Sequence, residues 1–175
     1  MDSRYFIKMI FMFTVLLAFL SGCPARVWVS KEPPVPLGPF MNSNWGNSVI
    51  EVKKAIEKDG NQWFKDSTDQ SPYALYASGN YWDYPAIFTY FFTPKSKRLY
   101  RVDVTYSDLK VYEKNKNALI QKYKMPSYSQ PDVDHWSWDN KSLLILQRDA
   151  THVQLSYASG PLLIQNQEEG GSLRK

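Results

Sequence analysis

Few side chains in this 175-residue chain are able to do chemistry, and they are scattered. There is one cysteine, Cys23, and there are two histidines, His135 and His152. A thiol serves as a nucleophile, as a metal ligand, or as the acceptor of an alkyl group in a stable thioether. Cys23 follows Ser21 and Gly22, two small residues that leave the backbone before it open to a peptidase. With no second cysteine, an intrachain disulfide and a cysteine metal cluster are both excluded. The histidines stand in no H-x-x-x-H or related ligand spacing. If their segments are strands, both fall on a polar face or an edge, where solvated histidine is the ordinary outcome. Asp132 and Asp134 share one side of a strand start, with His135 beside them. That trio has the composition of an acid–base or cation site, and equally of a polar strand start behind Pro131. None of the eight glycines builds a G-x-S-x-G elbow, a Walker loop or a G-x-G-x-x-G turn. The expectation is therefore no catalytic set, no metal and no cofactor. A hydrolase using Asp132, Asp134 and His135 is the enzymatic alternative.

The lone thiol takes its meaning from what precedes it. Residues 1–8 carry Arg4 and Lys8, and residues 9–20, MIFMFTVLLAFL, carry no charge. As a helix this run spans ~18 Å, well short of the ~30 Å hydrocarbon core of a bilayer. It reads as the apolar region of a signal peptide. The Leu20-Ser21-Gly22-Cys23 sequence that follows resembles the lipobox of bacterial lipoproteins at all four positions. The resemblance implies cleavage before Cys23, a diacylglyceryl group on its sulfur, and a cell-envelope location with the membrane as a partner through that lipid. Two or more acyl chains hold a protein stably, one only weakly. Pro24 stands where lipoproteins retained in the inner membrane carry aspartate, which points to the periplasmic face of the outer membrane in a Gram-negative host.

The formal charge is +4 and falls to +3 once residues 1–22 are removed. The excess is small and forms no stripe, so nucleic acid is not an expected partner. The chain is 43% hydrophobic and 15% aromatic, enough for a disulfide-free core. The aromatics crowd into residues 73–92, and Tyr81-Trp82-Asp83-Tyr84 is a candidate recognition loop. Two tyrosines and a tryptophan are costly to expose unless they dock somewhere. Lys110, Lys114, Lys116, Lys122 and Lys124 give one predicted helix a basic face, which suits anionic lipid or simply water.

Positioning falls to a short series of elements. Five of the eleven prolines lie in residues 24–44, which predicts an extended tether, with Val27-Trp28-Val29 as an apolar interruption. Ser48 and Glu51 form a capping-box signature, and Val49, Val52 and Ile56 follow at helical spacing, predicting a helix over 48–59. Strands are predicted over 73–77, 86–93 and 99–106, with Ser78-Gly79-Asn80 as a turn. A second helix over 108–124 carries Leu109, Tyr112, Leu119, Ile120 and Tyr123, with Asp108 as its cap. Further strands surround Trp136, 143–148 and 153–157, the last two forming a hairpin as 86–93 and 99–106 do, and the polar tail from Gln165 reads as loose.

The expected divisions are 1–22 signal peptide, 23–44 Pro-rich tether, 45–164 α+β domain and 165–175 flexible tail. The fold class is α+β: two helix-plus-antiparallel-meander units forming one mostly antiparallel sheet with helices on one face. The pattern is similar to the β-lactamase-inhibitor-protein fold, and to the smallest lipoprotein of the outer-membrane barrel-assembly machinery, which has one such unit. Trp45-Gly46-x-Ser48 and the Tyr-rich meander carry the likeness, over most of 45–158. Taken together, the residues predict a non-enzymatic lipoprotein that binds another envelope protein. A glycan or small-ligand module using aromatic platforms is the alternative.

Overall fold

The computed structural model describes residues 33–171. Cys23, the signal peptide and Val27-Trp28-Val29 lie outside the described residues. Within them the order is α1 (Val49–Lys58), β1 (Gln62–Ser67), β2 (Ala74–Tyr81), β3 (Tyr84–Phe92), β4 (Leu99–Tyr106), α2 (Val111–Tyr123), β5 (Tyr128–Gln130), β6 (Val133–Ser137), β7 (Leu143–Arg148), β8 (Val153–Ala158) and α3 (Gly160–Glu168). The strands form one eight-stranded sheet in the order β1-β2-β3-β4-β8-β7-β6-β5, antiparallel at every junction. Each unit is thus a helix followed by four strands, one more than the spacing predicted. The two meanders join where β4 pairs with β8.

The capping box forms as predicted. Ser48 N donates to Glu51 Oε2 at 2.7 Å, and Glu51 N donates back to Ser48 Oγ at 3.4 Å. Helix α2 starts later than predicted. Asp108 Oδ1 accepts from Lys110 N at 2.9 Å, closing a turn that precedes the helix. Leu109 therefore falls outside the stripe and is 39% exposed, while Asn115 is buried in it.

Several differences from the sequence reading have a physical cause. Ser78-Gly79-Asn80 is strand, not turn. A Cβ on Gly79 would sit 1.8 Å from Asn61 Oδ1, so this glycine answers a close approach rather than a reversal. The reversal falls at Trp82 and Asp83, both with positive φ, between the paired Tyr81 and Tyr84. β1 escaped the sequence pattern because it is an edge strand exposed on both sides, with a register break at Phe64. The segment read as tether docks before it reaches α1. Phe40 is 2% exposed and its ring lies 5.2–6.1 Å from those of Tyr81, Phe88, Tyr90 and Tyr157. Residues 165–168, read as tail, complete α3, and Glu169 accepts from Lys95 N at 2.7 Å and Ser96 N at 2.9 Å.

One apolar cluster gathers these parts. It includes Phe40, Val52 and Ile56 of α1, Phe88 and Tyr90 of β3, Val104 of β4, Val111 and Leu119 of α2, Trp136 of β6 and Leu155 of β8.

Candidate functional site

The Tyr81–Tyr84 turn folds back on the core. Tyr81 and Trp82 stack at 4.9 Å, and the Tyr81 hydroxyl meets that of Tyr157 at 2.9 Å. Burial pushes the Tyr81 hydroxyl up to about 12 and that of Tyr157 well above its ordinary value, so both stay protonated donors. Lys114 Nζ sits 4.6 Å over the Tyr84 ring. Of the four residues only Asp83 is fully exposed. The aromatic area that argued for an external partner is thus satisfied largely within the chain.

Asp132, Asp134 and His135 do not converge. Strand alternation sends Asp134 to the side where Tyr112 and Lys116 of α2 meet it, and His135 to the other. Asp134 is 0% exposed and accepts from Tyr112 Oη (2.9 Å), Lys116 Nζ (3.0 Å) and Ser129 Oγ (2.6 Å). It fastens α2 to β5 and β6. Asp132 is exposed and pairs with Arg148 Nε at 2.7 Å. Desolvation pushes His135 below its ordinary value, against the opposing pull of Asp134. His152 borders Asp149, whose carboxylate accepts from Thr151 N, Thr151 Oγ1 and His152 N. Among the described residues no group of three His, Cys, Asp or Glu side chains is placed to hold a metal ion. Also among them, no helix is long and apolar enough to cross a membrane.

The feature that sequence reading missed is the sheet face turned away from the core cluster. Register places Tyr76, Thr89, Asp103, Ser156, Ile145, His135 and Tyr128 in one row across seven strands. A second row runs through Ile87, Thr105, Gln154 and Gln147. A hydrogen-bonded ladder crosses the middle. Gln147 Nε2 donates to Gln154 Oε1 at 2.9 Å, and Gln154 Nε2 donates to Asp103 Oδ2 at 2.8 Å. Arg101 grips the same carboxylate twice, at 2.7 and 2.6 Å, with its guanidinium 5.1 Å from the centre of the Phe91 ring. Bidentate pairs of this kind fix geometry as well as charge. Two shallow depressions of about 330 and 340 Å³ flank the ladder, sharing Thr105 and His152. Ile87 is 43% exposed beside one of them.

Such a face offers a flat, prearranged set of amides, one gripped carboxylate and half-exposed rings. The β3–β4 and β7–β8 hairpins were legible, but the β4–β8 pairing that joins the two meanders was not, so the row was not either. No protein-family model, no curated protein and no solved structure matches the chain.

Proposed function

We propose that this chain is a lipid-anchored, non-enzymatic protein of the cell envelope whose open sheet face binds another envelope protein. The anchor rests on the lipobox at Cys23. The observation that carries the binding reading is the Gln147–Gln154–Asp103–Arg101 ladder, held rigid on a face with exposed Ile87. Preorganised surfaces lose little entropy on docking. In this reading α1 and α2 cover the same face of the sheet and leave the other for the partner. Membership of Val52, Ile56, Val111 and Leu119 in one cluster with Phe88 and Leu155 supports that arrangement. Asp83, exposed on the Tyr81–Tyr84 turn, contributes at the margin.

Cross-linked co-purification from solubilised membranes tests this. A stoichiometric protein partner, lost on Ile87→Asp and Gln147→Ala with the fold intact, is the expected result. A glycan is the second reading, favoured by the half-exposed rings of Tyr76, Phe91 and Tyr128 near planar amides. Retention on peptidoglycan or oligosaccharide, with no protein captured, would decide for it.

A further inference from the structure

We infer that helix α2 lies against an anionic phospholipid surface, through an exposed stripe of lysines, and so turns the open sheet face away from the bilayer. This rests on the lipid anchor at Cys23. The buried side of α2 carries Val111, Tyr112, Asn115, Leu119 and Tyr123. At 100° per residue, Lys110, Lys114, Asn117, Gln121 and Lys124 line up on the opposite side, all exposed. Lys122 is exposed but points about 120° away from Lys110, toward the Tyr123 side, and lies outside the stripe. Lys116 belongs elsewhere, engaged by Asp134. The helix's own acidic residue, Glu113, sits at the stripe margin, 3.9 Å from Arg148. Helix stability accounts for basic residues at the C-terminal end of α2 but not for Lys110. Lys110 occupies the N-cap without a side-chain bond, and cations at that end oppose the helix dipole. Leu109 at 39% and Met125 at 57% exposure add an apolar residue beyond each end.

The chain's path supplies the second argument. Trp138 Nε1 donates to the Val35 carbonyl at 2.9 Å, and the Trp138 ring packs edge-on at 5.4 Å against Tyr123, in the last turn of α2. Lys122 Nζ lies 4.9 Å over that same Tyr123 ring. Trp136 Nε1 donates to the Lys124 carbonyl at 2.9 Å. The segment leading from the lipid therefore joins the domain beside the basic end of α2. Ten residue steps separate Cys23 from Pro33, a reach of at most ~36 Å. The anchor thus holds the lysines close to the headgroups, where each basic side chain favours an anionic surface by about fivefold. Because α2 contacts Asp134 on one side of the sheet while His135 and the ladder occupy the other, contact through α2 presents the ladder to the periplasm.

The test uses the mature protein extracted from membranes and placed in vesicles of phosphatidylcholine, alone or mixed with phosphatidylglycerol. Lysines are acetylated and read by mass spectrometry, with exposed Lys65, paired with Tyr76 on the open sheet face, as internal reference. The expected result is labelling of Lys114 and Lys124 slowed about fivefold or more on the anionic vesicles, and restored by high salt. In the Lys114→Gln, Lys124→Gln variant, Lys110 should lose its protection. Equal labelling on both vesicle types, with the N-terminal peptide carrying diacylglyceryl-Cys23, would overturn the docking while leaving the anchor intact. An N-terminal peptide without lipid would overturn the anchor, and the docking with it.

Discussion

Two nearly buried aspartates, one on each face of the sheet, do different work. Asp134 is 0% exposed and is held by Tyr112, Lys116 and Ser129, which come from α2 and β5. Asp103 is 5% exposed and is held by Arg101 and Gln154, from its own strand and the next. The first network crosses between layers and carries tertiary packing. The second stays within the sheet and organises a surface. A buried carboxylate therefore marks a site only when its partners leave something for an outsider to read. Asp134 spends its lone pairs inside the protein, whereas the Asp103 ladder ends at exposed Gln147.

The comparison is broken most forcibly at Asp134. Asp134→Ala strands the Lys116 ammonium and the Tyr112 hydroxyl, and should cost about 3 kcal/mol in urea unfolding. Asp134→Asn keeps several of the bonds and should cost less than half as much. At Asp103 the same truncation should cost about 1–2 kcal/mol, because Arg101 and Gln154 both reach the sheet surface and can turn to water, whereas the Tyr112 hydroxyl on Asp134 belongs to a residue only 1% exposed. Capture of a partner should nevertheless fall more for Asp103→Ala than for Asp134→Asn. Equal losses would mean that the ladder is structural too.

A third carboxylate sharpens the contrast by its pH dependence. Partial desolvation pushes Glu169 up, but hydrogen bonds from Ser96, Gln165 and Lys95 outweigh it and hold the group at about 2, below its ordinary 4.5. A depressed folded value means stability that is whole above about pH 4.5 and lost as pH falls toward about 2. Glu169→Gln should remove that acid-sensitive part and cost at most about 1 kcal/mol at neutral pH, since the group is exposed. Smallest of all, Gln147→Ala should change stability by no more than about 0.5 kcal/mol while weakening partner capture. Thermal and urea unfolding at stepped pH, beside the co-purification, would order all four.

Much of the local structure was legible. The α1 capping box, the alternation of β4 and the β7–β8 hairpin follow from nearest-neighbour chemistry, which acts whatever the rest of the chain does. The fold class, α+β with two meanders, came from the order of such segments. What was misread shares one cause. Ser78-Gly79-Asn80 has turn composition but is strand, because Asn61 sits where a side chain would go. Phe40 lies among prolines but fills the core, because four distant aromatic rings leave a place for it. The polar stretch 165–168 is helical, and Glu169 just beyond it caps the turn after β3.

The candidate site divides the same way. A lipobox is a linear pattern, so the expectation of an anchor at Cys23 came from the sequence alone. The basic side of α2 was also countable by residue, since helical periodicity is local. The Asp103 ladder was decided only by tertiary structure. Gln147, Gln154, Asp103 and Arg101 come from three strands up to 53 residues apart in sequence. Their meeting depends on β4 pairing with β8 at a register in which Thr105 faces Gln154 and Asp103 faces Ser156. One residue of slip would send every one of those side chains to the opposite face, and no local propensity forbids it. The apolar cluster beneath, from Phe88 and Val104 to Leu155, sets that register by leaving a single pairing that buries it.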